Sequence, residues 1–430
     1  MFFILSILEI ANSLGGVLGW VCLILLPGAW ITYALPVRGF PYWIRLLTGI
    51  MRSPIVVCLQ FYAFRLLGAS FDLTVILLVF VNLPTVYFIW KRRRDITIPD
   101  RNSLLGGGVV LIIAVACLAP QLLDDTARMF NGHAWMHADV IYMLRNGDLL
   151  LQDPELAGIR MAYPWAGHVY QGILSFLLDS APTSSYIWTN LVWLLCFLGF
   201  TAYIVAEFSS NRFSQITSYI WLCLGLNFVG YILMTTLPAA WVRRLWIGGD
   251  YRYTPWVLKF YFFEQIIFGL GMFAAVVYFS IREWNRRHAV AQLIVIGLLL
   301  CGIGLVYPIL IAPSVLVVSA RAFTMILEKG QPGAANLRWH GFLLGLVVLI
   351  SGIVTFAYLE LLTTDRVSKS IIFLSPTSDY VKYTLLKSLG TIVAMSVFIA
   401  AFLLVIRTYW QANRTATFVL ATGAVGSILL

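Results

Sequence analysis

Two adjacent carboxylates and three histidines, gathered in one polar stretch, are the residues of this chain best equipped for chemistry. Asp124 and Asp125 open a segment, residues 124–180, that also holds His133, His137, Asp139, Tyr163, Trp165 and His168. Three of the chain's five histidines and seven of its nineteen acidic residues fall inside it. Paired carboxylates raise one another's pKa, because like charges resist joint ionisation, and such a pair can supply a general base. The competing reading is that the two aspartates only cap the end of an apolar run, where a charge is cheap to place.

His133 and His137 stand four apart, with Asp139 close by. On a helix that spacing puts both imidazoles on one face and suits two metal ligands. The Glu of an H-E-x-x-H motif is absent and spacing fixes no third ligand. Hydrogen bonding to a polar substrate, or a structural role at the membrane interface, therefore ranks above metal binding. His168 follows Tyr163-Pro164-Trp165. Tyr and Trp populate membrane interfaces generally, and clustered beside His and Arg they also suit stacking against a sugar or a lipid headgroup.

A second polar stretch, residues 239–264, carries Arg243, Arg244, Arg252 and Lys259 together with Asp250 and Glu264. Arg and Lys hold phosphate through charge-assisted hydrogen bonds, so an anionic lipid phosphate is one partner these cations suit. Pairing with Asp250, Glu264 and the acidic first segment is the other. Glu264 sits at the mouth of an apolar run, and an ionisable group at membrane depth is a functional candidate by default. Arg366, Lys369, Lys382 and Lys387 in residues 361–387 can serve the same anion or anchor the interface.

Apolar runs must position these stretches. The 430 residues are 60% hydrophobic and only 11% charged, against roughly 25% charged in soluble domains. The mean hydropathy is +0.88. An ordinary soluble enzyme is excluded, and the expected fold is an all-α membrane protein. A span needs about 20 apolar residues, and about twelve runs qualify: 11–35, 46–68, 72–90, 104–123, 185–207, 215–238, 265–281, 289–305, 307–326, 341–360, 388–406 and 415–430. The first three, within residues 1–103, read as an N-terminal scaffold, and residues 104–430 as the core with a large loop at 124–184. Within that loop, apolar spacing predicts amphipathic helices over 134–144 and 165–178, lying in the interface plane half buried in headgroups. Together they would roof a cavity at the outer membrane face.

The net charge of +10 would suggest nucleic acid in a soluble protein. Here the basic residues mark topology instead. Placing the run Lys91 to Arg94 in the cytoplasm and alternating sides collects sixteen basic and five acidic residues on that side, whereas residues 124–180 hold three basic and seven acidic. The positive-inside rule then puts the large loop outside the cytoplasm, in a multi-pass plasma (inner) membrane protein. The six cysteines lie apart inside apolar runs and read as core residues. The opening residues MFFILSILEI lack the basic region and cleavage site of a signal peptide and read as part of the mature chain.

The sequence HAWMHADVIYMLRNGD followed by DPELAGIRMAYPWAGHVYQ, after Asp124-Asp125 and with GGDYRYTPWVLKF further on, resembles the GT-C superfamily of integral-membrane glycosyltransferases. The likeness covers roughly residues 104–265. It implies many spans, a first extracytoplasmic loop with the catalytic acid near its start, and a polyprenyl-phosphate-linked sugar donor. On that likeness Asp125 is the first choice of base, with Asp124 or Asp139 second. His137 and His168 orient sugar hydroxyls, and Asp250, Arg252 and Lys259 lie near the lipid phosphate. The implied partners are the donor, a lipid or glycan acceptor and membrane lipids, with no nucleic acid and no cofactor. One departure is His133, which stands where some relatives carry an acid four positions before the loop histidine. Two other classes compete: a lipid or polysaccharide transporter, and a non-catalytic scaffold for envelope glycan assembly.

Overall fold

The computed structural model describes residues 2–34, 40–91, 101–123, 132–146, 166–208, 211, 213, 215–216, 266–282, 284, 289–327, 334–362, 410 and 414–429. Every regular element among them is helical. In order they are α1 (Phe2–Ala34), α2 (Tyr42–Leu66), α3 (Phe71–Asn82), α4 (Pro84–Lys91), α5 (Arg101–Leu123), α6 (Gly132–Asn146), α7 (Ala166–Leu177), α8 (Pro182–Phe208), α9 (Ile266–Ile281), α10 (Ala289–Val306), α11 (Ile311–Leu327), α12 (Ala334–Leu362) and α13 (Arg414–Leu429). A 3-10 turn, Pro308–Leu310, leads into α11.

Six stretches among the described residues are long and apolar enough to cross a membrane: Tyr42–Leu66, Phe71–Lys91, Tyr186–Phe208, Ala289–Val306, Pro308–Leu327 and Arg338–Glu360. Shorter apolar helices at Leu14–Trp30, Leu104–Val115 and Ile266–Ile281 fall on three more of the expected runs, and α13 falls on the last. The expected run 388–406, and 215–238 beyond its first two residues, lie outside the described residues.

Local chemistry fixes the helix ends. Gly68 follows α2 with φ at 87°. Its N–H reaches the Arg65 carbonyl at 3.0 Å and the Ala69 N–H reaches Phe64 at 3.1 Å. That pair is a Schellman stop, which needs a left-handed residue and favours glycine. Ser70 then caps α3, its hydroxyl accepting from the Leu73 N–H at 3.3 Å, with Asp72 in the first turn complementing the helix dipole.

The α1–α2 crossing is close because it is built on small residues. A Cβ added to Gly28 would run into the Gly49 carbonyl, and the Gly28 N–H donates to Ser53 Oγ at 2.9 Å. One residue earlier, Pro27 interrupts α1. Proline has no N–H to give to the carbonyl four residues back. That carbonyl belongs to Leu23, and the buried Tyr170 hydroxyl of α7 donates to it at 3.0 Å.

Helix α7 is enclosed by other helices. It packs on α1, α2, α6, α8 and α10, and Ala166 through Ser175 are all buried. The Cys58 thiol donates to the Ala166 carbonyl at 3.1 Å. The Ala166 N–H, a donor with no intrahelical acceptor at a helix start, goes to the Tyr358 hydroxyl of α12 at 3.3 Å. The expectation of an interfacial helix half buried in headgroups is therefore corrected for 165–178. Its polar side faces other helices, and this is possible because the side holds Gly167, His168, Gln171, Gly172 and Ser175, with no charge anywhere in the helix.

Basic residues from separate helices meet at one end of the bundle. Arg282, after α9, lies 4.9 Å over the Phe40 ring that precedes α2 and donates to the Tyr278 hydroxyl. Arg321 of α11 reaches the Arg282 carbonyl at 3.4 Å. Arg45 is in the first turn of α2, and α12 returns along α11 with Gly341 against Ala322 and Met325.

Candidate functional site

The 124–180 segment contributes two described helices, and they meet through two of its histidines. His137, from the middle of α6, and His168, from the first turn of α7, are both fully buried. His137 Nδ1 lies 2.6 Å from His168 Nε2. An approach that close requires one proton between the nitrogens, since two lone pairs, or two N–H groups, would repel. The ring planes are 25° apart with centroids at 4.8 Å, so ring overlap accompanies the nitrogen contact. Tyr186 of α8 lies 6.0 Å from the His137 ring.

The polar line continues along α7 and α8. Gln171, one turn after His168, places Nε2 2.6 Å from the Thr189 hydroxyl, which donates to the Tyr186 carbonyl at 2.9 Å. Asn190 is next, buried, with no hydrogen-bond partner for Nδ2 among the described residues. Beside it is a cavity of about 10 Å³ lined by Gly167, Tyr170, Gln171, Tyr186, Asn190, Trp193 and Phe268. A space of that size takes about one water molecule, which a stranded amide would bind. Below it Trp193 stacks on Phe268 at 4.4 Å and closes the line with aromatic carbon.

The structure brings His137 and His168 together, and the cavity beside them that the described residues line is the one of about 10 Å³. Asp139, two residues after His137, points out of α6 and is exposed. The backbone of His133 lies in α6, and its side chain is outside the described residues. Asp124, Asp125, Tyr163, Trp165, Asp250, Arg252, Lys259 and Glu264 also lie outside them. No group of three or more metal-ligating side chains occurs among the described residues.

Sequence reasoning missed Gln171, Tyr186, Thr189 and Asn190. Their signal is present: Tyr186, Thr189 and Asn190 stand at i, i+3 and i+4 in an otherwise apolar span, the spacing of one helix face. No protein-family model, curated protein or solved structure matches the chain.

Proposed function

We propose that the protein is a membrane glycosyltransferase of about twelve spans, moving a sugar from a polyprenyl-phosphate-linked donor to a lipid or glycan acceptor on the extracytoplasmic side. The observation that carries this reading is the buried His137–His168 contact. It ties the two helices of the 124–180 segment to each other, and α7 is in turn fastened to α1, α2 and α12. The stretches 124–131 and 147–165 thus run into rigid helices, and they carry Asp124, Asp125, Tyr163 and Trp165. A catalytic group needs an anchored frame to be held in reacting geometry.

In this reading Asp125 orients or deprotonates the acceptor hydroxyl, with Asp124 or Asp139 as the second choice. The acceptor oxygen attacks the anomeric carbon, the bond to the lipid phosphate breaks, and configuration inverts. Arg252 and Lys259 stabilise the charge that develops on the departing polyprenyl phosphate. A lipid phosphate leaves readily, so the reaction requires no cofactor. The end of the bundle that gathers Arg45, Arg282 and Arg321 is the cytoplasmic one by the positive-inside rule.

The test is release of polyprenyl phosphate from polyprenyl-phosphate-linked sugars by the full chain reconstituted with a lipid or glycan acceptor, the sugar appearing on that acceptor. Asp125→Asn should lower release by about 10²-fold or more if that carboxylate is the base. Undiminished release from the Asp124→Asn, Asp125→Asn double variant would sink the assignment. A second reading, transport, is favoured by Arg52, fully buried within the span-length helix α2, since buried ionisable groups inside spans mark pathways for polar cargo. It predicts movement of the intact sugar lipid across vesicles with no release of lipid phosphate.

A further inference from the structure

A cleft of about 540 Å³ opens between α1, α2, α5 and α8. Its walls are hydrocarbon, with Trp20, Ile24, Trp43, Leu46, Val110 and Val192 among them. We infer that this cleft is a lipid site, and that it seats an acyl chain of an anionic glycerophospholipid from the leaflet at the basic end of the bundle.

Four observations converge on that occupant. The volume is that of a single-ligand site, roughly 300–1,000 Å³, and an apolar space of this kind stays free of water and takes hydrocarbon. The sequence keeps the space open: a Cβ on Gly106 would meet nothing within 4 Å, and Gly107 and Gly199 are also on the wall. Helix α5 packs mainly against α8, and towards α2 the Trp43 ring comes up to Gly107 at the edge of the cleft. Leu104, Leu105, Val109 and Ile112 on the same helix are exposed, as residues of a bilayer-facing helix are.

Position decides the headgroup. The cleft is lined by residues 43–50 of α2, 106–111 of α5 and 192–206 of α8, which places it in the half of the bundle nearest the cations. Arg45 is in the same turns of α2, Lys91 closes α4, Arg101 opens α5, and Arg282 and Arg321 meet beside Phe40. Among the described residues Glu207 is the acidic side chain at that end. A net positive rim at the membrane surface attracts anionic over zwitterionic headgroups. None of the residues that line the cleft belongs to the 124–180 segment, and the inference stands on the fold rather than on glycosyl transfer.

The experiment is native mass spectrometry of the full chain from mixed phosphatidylglycerol and phosphatidylethanolamine nanodiscs, under progressive delipidation. Wild type should hold one phosphatidylglycerol after other lipid is stripped. Gly106→Leu, which adds a side chain at the cleft wall where a Cβ has open space, should reduce that retention by about tenfold or more. Gly345→Leu, at an equally open glycine on α12 away from the cleft, should not. Any of three results overturns the inference: equal retention of phosphatidylethanolamine, retention of phosphatidylglycerol unchanged by Gly106→Leu, or no tightly held lipid on the wild type. Transfer or release of sugar lipid is read separately and bears only on the enzyme.

Discussion

Helix α8 carries two kinds of interior. Its first turns, with Tyr186, Thr189 and Asn190, are packed against His137, His168 and Gln171 with room for little more than one water. Its second half, with Cys196, Gly199 and Ala202, borders an open cleft of about 540 Å³. The polar half is close-packed because leaving a buried donor or acceptor stranded costs about 1–3 kcal/mol, and the Asn190 amide borders the one-water space. The apolar half has no such requirement, since in a bilayer the surrounding hydrocarbon replaces protein carbon at little cost. Close packing in this protein therefore follows polarity as much as it follows depth.

Substitutions can break that contrast. His168→Ala should cost the most, about 2–4 kcal/mol, from the space left behind and the loss of the nitrogen partner for His137. Thermal unfolding of the detergent-solubilised protein would show it, and an unchanged midpoint would mean the pair is not a structural joint. Thr189→Val keeps the shape but strands the Gln171 amide, for about 1–3 kcal/mol in the same assay. Tyr170→Phe should cost about 1 kcal/mol in wild type and less in a Pro27→Ala background, where the backbone regains the N–H that the Leu23 carbonyl lacks. A double-mutant cycle without coupling would reject the link between proline and phenol. On the open side, Gly106→Leu should move stability by no more than about 0.5 kcal/mol. Asp179→Gly should move it by a similarly small amount in the other direction. Asp179 ends α7 with φ at 44°, in the same Schellman arrangement that Gly68 makes after α2, so relief of left-handed strain should gain under about 0.5 kcal/mol.

The span-length helices were legible because twenty apolar residues in a row have few other uses. Tyr42–Leu66 begins four residues before the expected start at 46, since Arg45 reads as a boundary although the fold buries it to 7% exposure. Long side chains can bury their stems while the charge keeps its partners, and sequence alone does not announce those partners. The helix at Ala166–Leu177 was legible as a helix, whereas its depth was not. Amphipathic spacing says that one side is polar without saying what that side meets. The absence of any charge from that side was the available sign, because a helix facing water or headgroups ordinarily carries some. The meeting of His137 with His168 depends on two helices 31 positions apart in the chain. No local pattern encodes that approach.

Pro27 also ties an early helix to one made much later. The Leu23 carbonyl, which the proline leaves without its helical donor, is completed by a hydroxyl 147 positions later in the chain. At ribosomal rates that interval lasts roughly 7–30 s. Until Tyr170 has been made, that acceptor has neither its helical donor nor the phenol. The phenol that completes the acceptor belongs to the helix that carries His168, so one hydrogen bond joins the N-terminal helices to that later segment.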